Sequence, residues 1–381
     1  MIIEEDFKNW TSGNRELNKI IRQSQLNAKK LNHTFLEVIP FKFGQIKKIG
    51  SGGFSTIYLG NFSGSRYNYE DRKNWEPWKV SGISNRVVLK SFFESNIITN
   101  LIKELEVNSK LHGDFTTKCF GVTQNPDDGQ YMIVMEYAAH GDLRRYLQDP
   151  ETLINWKYII YLSRWIIRSL CKIHERGFIH KDFHTGNILI DHTRQPSIAD
   201  MGLTFFINEK SDEVIGIMPY IAPEVFRFKL YTTAVDIYSF AMIMWEFSSQ
   251  QPPFGKIAHD YLLEIEICKE HRRPTIVSAT PQCWIDLMQQ CWDANPGKRP
   301  TAMQVFQKLD KCMNNMSKEK IEEYYSTHPQ AIYKSRSMPR YSLMQSCQID
   351  WNEEAKEKSI DTSLSSLRKR LYPNVKLKFV K

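Results

Sequence analysis

The stretch HKDFHTGN, residues 180–187, places one carboxylate, one amide and two histidines within a short segment of the chain. Asp182 is suited to accept the proton of an attacking hydroxyl, and Asn187 is suited to hold a metal ion. The stretch IADMG follows and brings Asp200 as a second oxygen ligand; magnesium prefers a few such oxygens together with phosphate oxygens. On its own, the stretch fits a phosphotransfer loop for proteins, one for small molecules, or plain turn chemistry.

The composition narrows the class of protein. The chain has 381 residues, of which 41% are hydrophobic and 25% charged, as in an ordinary soluble globular protein with room for two lobes. No apolar run approaches the roughly 18 residues of a membrane helix, and the acidic start MIIEEDFKNW argues against a secretion signal. Seven cysteines without a CxxC pair argue against a disulfide framework and a zinc ribbon. We therefore expect a cytoplasmic protein with reduced thiols, with the nucleus as the alternative.

The positive charge is concentrated at the C-terminal end. Residues 311–381 contain 14 Lys and Arg against 8 Asp and Glu, a net +6 of the +8 carried by the whole chain. The body is nearly neutral, so we expect no nucleic-acid partner. The polar segment 313–381 is predicted to be mostly disordered. Its basic end is a solvated tail, a docking segment for an acidic partner, or a nuclear-import segment.

The pattern along the chain predicts a small strand-rich half followed by a larger helical half. The segment 1–38 is a lead-in with one helix, and short alternating runs follow from Phe43. YMIVMEY (131–137) has the composition of a buried strand, after which the periodicity is mostly helical to about residue 316. A cleft where two such halves join is a favoured ligand site.

Two further motifs precede the loop at 180–187. GSGGFSTIY (50–58) has Gly50, Gly52 and Gly53 between two strand-like runs, which suits backbone contact with phosphates or a plain hairpin turn. Lys90 ends the run VVLK, and Glu104 lies on the helical stretch that follows. A lysine that holds phosphates needs such a carboxylate to fix its flexible side chain, although one Lys–Glu pair is commonplace.

Taken in order, these motifs resemble the eukaryotic protein kinase domain. The resemblance implies an α+β, bilobal protein-kinase-like fold, with an N-lobe at 39–136, a hinge at 136–141 and a C-lobe at 142–312. It covers about residues 43–312. PYIAPEV and CWDANPGKRPT are most similar to the tyrosine-kinase-like group, and the lead-in resembles that of a large fungal family of such kinases. The resemblance assigns roles as follows: catalytic, Lys90, Glu104, Asp182 and His184; nucleotide-binding, Gly50, Gly52, Gly53, Val88, Lys90, Glu136 and Ala138; metal-binding, Asn187 and Asp200; structural, His180, Glu224, Asp236 and Arg299.

The resemblance also implies ATP and Mg²⁺ as cofactors and a protein as substrate. Small-molecule kinases share the H-x-D-x-H-x-x-N pattern, but they lack the A-P-E segment (222–224), its arginine partner and the D-x-x-S motif that are present here. Serine/threonine specificity is preferred, and tyrosine stays open. The alternative from another class is a pseudokinase that binds nucleotide as a signalling scaffold. We expect His184 to donate a hydrogen bond to the γ-phosphate, with placement of the loop as the alternative.

Several positions depart from the family pattern. Val88 replaces the alanine that the family has beneath the adenine ring, and it is larger but still apolar. Met201 replaces the phenylalanine of D-F-G with another apolar group. Lys181 replaces the arginine that grips activation-loop phosphate, which exchanges a planar fork for a point charge. Asn108 stands where a hydrophobic residue links helix and sheet, and this is expected to loosen the active arrangement. Ile217 stands where serine/threonine kinases have a threonine.

Overall fold

A computed structural model describes residues 11–31, 36–63, 86–93, 97–111, 115–149, 152, 154–206, 214–314 and 336–337 of the chain. In these residues a six-stranded sheet with two helices precedes a body of helices, and the predicted bilobal fold is confirmed. Residues 64–85, rich in Asn, Ser, Arg and Trp and expected from that composition to form an inserted loop, and nearly all of the basic tail lie outside the described residues. No helix in the described ranges has the length and apolarity needed to cross a bilayer.

The N-lobe is built on a sheet in the order β1-β5-β6-β4-β3-β2. Every neighbouring pair in it is antiparallel except β1 with β5. Hydrophobic residues from its inner strands are fully buried, including Leu89, Ile133 and Val134. Its strands are β1 (Glu37–Val38), β2 (Lys47–Ser51), β3 (Ser55–Asn61), β4 (Arg86–Phe92), β5 (Cys119–Gln124) and β6 (Tyr131–Glu136).

The lead-in is packed onto this lobe and does not stand apart from it. Helix α1 (Arg15–Leu31) begins where the Asn14 side chain accepts the N–H groups of the first turn, as an N-cap does. Leu17 and Ile21 of α1 are buried against helix α2 (Ile97–Leu111) in one hydrophobic cluster. The following segment supplies β1, so residues before 39 complete the sheet.

The C-lobe is an assembly of helices around one large hydrophobic cluster. Its longest helix, Trp156–Glu175, buries one apolar face, and the helix Thr233–Ser249, which contains FAMIMWEF (240–247), is buried along nearly its whole length. Its helices are α3 (Leu143–Leu147), α4 (Trp156–Glu175), α5 (Pro223–Phe228), α6 (Thr233–Ser249), α7 (Tyr261–Lys269), α8 (Gln282–Cys291) and α9 (Ala302–Asn314).

In the described ranges, three short pairs of strands are formed by residues that follow α4 in the sequence. They are β7 (Phe178–Ile179) with β10 (Phe205–Phe206), β8 (Ile188–Ile190) with β9 (Pro196–Ile198), and β11 (Ile215–Gly216) with β12 (Arg336–Ser337), all antiparallel. The last pair was not anticipated, because β12 lies in the segment predicted to be disordered. This segment therefore contributes at least one strand to the folded body.

Candidate active site

Lys90 lies in the middle of β4, paired on one side with Ile57 and on the other with Ile133. This central register buries the side chain, which is only 6% exposed. Its Nζ donates to both oxygens of Glu104, at 2.8 and 2.7 Å, and to Oδ1 of Asp200 at 2.8 Å. One ammonium group therefore joins the sheet, helix α2 and the loop after β9, although Lys90 and Asp200 lie 110 positions apart in the sequence.

Two of the three groups in this triad, Lys90 and Asp200, are held in their charged forms by their neighbours. Burial alone would lower the pKa of Lys90, but the negative charges of Asp200 and Glu104 outweigh it and hold the pKa above its usual range. Burial would likewise raise the pKa of Asp200, but the charge of Lys90 holds it below its usual range. Burial raises the pKa of Glu104, and Lys90 opposes that rise. Lys90 is thus fixed as a cation and Asp200 as an anion, the states needed to hold phosphate and metal.

The loop at 180–187 is fixed at its first two residues by hydrogen bonds to Asp236, which lies in the first turn of α6. Its carboxylate accepts the backbone N–H of His180 at 2.9 Å and that of Lys181 at 3.0 Å. It also contacts Nε2 of His174 at 2.8 Å. Lys181 has φ of 70°, a left-handed conformation that costs a non-glycine residue free energy. The two hydrogen bonds to Asp236 hold the backbone in that conformation.

Asp182 is 4% exposed, and its neighbours fix the carboxylate. The Asn187 amide donates to the Asp182 carbonyl at 2.9 Å and to its Oδ2 at 3.3 Å. Nε2 of His184 lies 3.5 Å from the same oxygen. Nδ1 of His184 accepts the N–H of Gly186 at 3.0 Å, as an N-cap of the turn that follows. With Nδ1 used in this way, the neutral imidazole carries its proton on Nε2, on the side of Asp182.

Asn187 and Asp200 are brought together by the β8–β9 hairpin. Ile188 pairs with Ile198, and just beyond this pair the Ala199 N–H donates to the Asn187 carbonyl at 2.8 Å. The Asp200 side chain is 42% exposed, although its Oδ1 is bound to Lys90. Because the Asn187 amide nitrogen donates to Asp182, its oxygen is the group left for a cation.

This pair of hard oxygen ligands fits magnesium, which binds through one or two protein groups and takes phosphate oxygens for the rest. In the described ranges no cluster of three or more His, Cys, Asp and Glu side chains is arranged to bind a metal. A site completed by the phosphates of a nucleotide is consistent with that arrangement.

The glycine-rich turn and the hinge lie at the two ends of the N-lobe sheet strands. Gly50 is opposite Ile57 beside an irregularity in the β2–β3 pairing, and the Gly52 N–H donates to the Ser55 carbonyl at 2.8 Å to close the turn. Gly53 follows in the same turn. Val88 pairs with Leu59 and Met135 in the middle of the sheet.

At the hinge, Glu136 ends β6 and donates its N–H to the Lys118 carbonyl at 2.9 Å. The Ala138 carbonyl accepts the N–H of Gly141 at 3.1 Å. The predicted nucleotide-binding residues thus lie on the turn, the sheet and the strand exit.

Glu224 and Arg299 form a buried, bidentate ion pair. Nη1 of Arg299 donates to Oε1 of Glu224 at 2.6 Å, and Nη2 donates to Oε2 at 2.8 Å. The two side chains are 1% and 0% exposed. The guanidinium also donates to the backbone carbonyls of Ala234 and Asp293, both at 2.9 Å. Arg299 therefore has carbonyl partners beyond the carboxylate, and the pair ties α5 to the loop before α9.

The structure also contains a buried network that the sequence analysis missed. Glu246, on α6, accepts hydrogen bonds from Arg144 at 2.9 Å, from Thr185 at 2.8 Å and from the Tyr220 hydroxyl. It thereby joins α3, the loop at 180–187 and the segment before α5. The signal was present in FAMIMWEF, because a single carboxylate inside an apolar run needs a buried cationic or hydroxyl partner.

The departures from the family pattern are accommodated in the structure. Asn108 is buried, and its amide donates to the Glu104 carbonyl one turn earlier at 2.8 Å, so its polarity is satisfied within α2. Met201 and Ile217 are each 1% exposed and belong to the C-lobe hydrophobic cluster. The Lys181 ammonium lies 4.1 Å from the centre of the Tyr231 ring, a cation–π contact. The predicted loosening at Asn108 is not visible in the Lys90–Glu104 distances.

Comparison with known proteins agrees with this geometry. Residues 43–309 match a family model described as protein tyrosine and serine/threonine kinase. The chain is 26% identical over 278 residues to stress-activated protein kinase alpha of Dictyostelium discoideum, covering 69% of this chain and 40% of that protein. It is also 26% identical to dual specificity protein kinase shkB of the same organism, covering 68% and 38% respectively. A third relative, probable serine/threonine-protein kinase drkD, is 26% identical, with 74% of this chain and 21% of that protein covered.

The chain thus spans less than half the length of these curated relatives. The matched region contains every site residue placed above and more than half of the chain. The two lobes, the contacts of Lys90 with Glu104 and Asp200, and the loop at 180–187 agree with this match. The chain therefore belongs to the family of eukaryotic protein tyrosine and serine/threonine kinases.

Proposed function

We propose that the chain is an active protein kinase that transfers the γ-phosphoryl group of ATP to a serine or threonine hydroxyl of a protein. The observation that carries this proposal is the simultaneous contact of Lys90 with Glu104 and Asp200 at 2.7–2.8 Å. In protein kinases the pair of strand lysine and helix glutamate and the metal-binding aspartate must all be in place for transfer. Here the three are assembled in one structure.

Each residue of the site has a chemical task under this proposal. Lys90 holds the α- and β-phosphates, and Glu104 fixes the position of its ammonium group. Asp182 orients the acceptor hydroxyl and accepts its proton as the new P–O bond forms. Asn187 and Asp200 would hold magnesium, which would offset the charge that develops on the phosphates during transfer. The hinge at Glu136 and Ala138 presents backbone groups to the adenine ring.

The serine/threonine preference and the subgroup are further parts of the proposal. Support comes from the motifs PYIAPEV and CWDANPGKRPT, which resemble the tyrosine-kinase-like group, and from relatives named as serine/threonine and dual-specificity kinases. The fungal family is supported by the resemblance of the lead-in alone. A cytoplasmic location is supported by the reduced-thiol reading of the cysteines, and docking of an acidic partner by the basic tail.

The test is transfer of labelled phosphate from ATP to a generic protein substrate, with magnesium or manganese, by wild-type protein and two variants. Lys90→Met should abolish most transfer, because it removes the cation for the phosphates. Asp182→Asn should cost several powers of ten, each worth about 1.4 kcal/mol of activation barrier. A variant of an exposed ion pair, Glu175→Gln, serves as the control and should transfer as wild type does.

Wild-type protein that binds nucleotide but transfers no label with either metal would refute the proposal and support a pseudokinase. Near wild-type turnover by Asp182→Asn would show that the base has been assigned to the wrong residue.

A further inference from the structure

The strand β12 (Arg336–Ser337) pairs with β11 (Ile215–Gly216), which is followed by a 3-10 turn (Met218–Tyr220) and then by helix α5. Ile215 is opposite Ser337, and Gly216 is opposite Arg336, in antiparallel register. No other strand in the described ranges pairs with β11. A piece of the chain from beyond the last helix is therefore laid as an extended peptide along the segment beside the catalytic loop.

Gly216 places this pairing at the catalytic carboxylate. A β-carbon on Gly216 would lie 3.3 Å from Oδ1 of Asp182 and 3.3 Å from Cγ1 of Ile221, and the residue has φ of 145°. Neither that conformation nor that space suits a side chain, so the backbone of β11 itself lies against Asp182. Paired strands are about 4.8 Å apart, so the backbone of β12 is one strand spacing from a residue that touches the catalytic base.

The sequence around β12 provides the acceptor group. KSRSMPR (334–340) has a serine on each side of Arg336 and contains no acidic residue. Ser337 belongs to the strand, and Ser335 directly precedes it in the sequence. A basic peptide with two hydroxyls is complementary in charge to a site that contains the carboxylates of Asp182 and Asp200.

We propose that β12 is a tethered acceptor peptide, and that this active site phosphorylates a serine of Ser335-Arg336-Ser337 within the same molecule. This inference rests on the proposed kinase function and deepens it by naming a substrate. The serine hydroxyl oxygen forms a bond to the γ-phosphorus of ATP, and the bond from that phosphorus to the β–γ bridging oxygen breaks. The hydroxyl proton passes to Asp182, and phosphoserine and ADP are the products.

The first experiment maps phosphate on the full chain after incubation with labelled ATP and magnesium. Label should appear at Ser335 or Ser337, and the rate per molecule should not change across a hundredfold range of protein concentration. Self-incorporation of label by the double variant Ser335→Ala/Ser337→Ala should be at least fivefold lower than by wild type. Ser342→Ala, which removes a serine a few positions further along the same tail, is the matched control and should retain it.

The second experiment tests the pairing itself with two substitutions at one position. Arg336→Pro removes a backbone N–H and fixes φ away from strand values, so it should reduce labelling of the neighbouring serines severalfold. Arg336→Ala keeps the N–H and should label at close to the wild-type rate. Both variants should phosphorylate a generic protein substrate at least as fast as wild type.

Transfer to the generic substrate distinguishes failure of the tethered acceptor from failure of the kinase function. A protein that labels the generic substrate but neither serine, or whose self-labelling rises in proportion to its concentration, overturns the tethered acceptor and leaves the kinase function standing. Equal labelling of Arg336→Pro and Arg336→Ala would also overturn it. Absence of transfer to either substrate would instead refute the kinase function.

Discussion

Replacing Arg299 with alanine should lower the free energy of unfolding by about 3–5 kcal/mol, because it leaves the carboxylate of Glu224 buried without its counter-charge. The two side chains are 0% and 1% exposed, and their contacts are 2.6 and 2.8 Å. At roughly 2 °C per kcal/mol for a domain of this size, the melting temperature should fall by about 6–10 °C. Calorimetry or chemical denaturation of the full chain would measure both quantities.

Two comparisons make the measurement specific to burial. The ion pair of Lys172 with Glu175 has a similar separation of 2.7 Å, but its side chains are 35% and 48% exposed. Glu175→Gln should therefore cost less than about 1 kcal/mol. The double variant Glu224→Gln/Arg299→Met, which removes both charges, should be more stable than Arg299→Ala. An unchanged melting temperature in Arg299→Ala, or an equal loss in Glu175→Gln, would show that burial of the Glu224–Arg299 pair does not set the cost of breaking it.

Three further outcomes are expected. Burial raises the pKa of Glu264 to about 7, so the folded chain holds that proton more tightly than the unfolded chain, and stability is lost as pH rises from about 4.5 through about 7. Glu264→Gln should then be more stable than wild type at pH 8, by about 1–2 kcal/mol once solvent screening is allowed for, and no more stable at pH 4; equal differences at both pH values would contradict this. His184→Asn, which keeps an N-cap acceptor for Gly186, should retain more turnover than His184→Ala; equal losses would argue against the cap. Asp200→Asn should raise the magnesium concentration needed for half-maximal transfer, and an unchanged metal requirement would remove Asp200 from the metal site.

The sequence was sufficient to predict the two lobes and the residues that meet at the candidate active site. Lys90, Asp182 and Asp200 are recognisable because each stands in a short motif with fixed neighbours, and the order of motifs carries the fold. Their mutual geometry was less accessible. The contact of Lys90 with Asp200 joins positions far apart in the chain, and only the folded backbone brings them to 2.8 Å.

Other features could not be predicted, for identifiable physical reasons. Glu246 lies in an apolar run, and its partners Arg144 and Tyr220 lie in other elements. Periodicity can predict which face of a helix a residue occupies, but it cannot predict contacts between elements. The strand β12 lies in a polar segment with no apolar alternation, because its pairing uses backbone groups and needs no hydrophobic face. The boundary predicted between the lead-in and the N-lobe at residue 38 follows the change from a helical pattern to short alternating runs, whereas the sheet extends back to β1.

The way α1 and β1 complete the N-lobe has a practical consequence for work with this protein. A recombinant chain started at Phe43, the first residue of the family match, would lack Leu17, Ile21 and the whole of β1. It would present the bare backbone edge of β5 and the uncovered apolar face of α2 to solvent, and such edges and patches promote aggregation. Poor expression of a chain trimmed in that way would reflect the missing cover and would say nothing about the catalytic machinery.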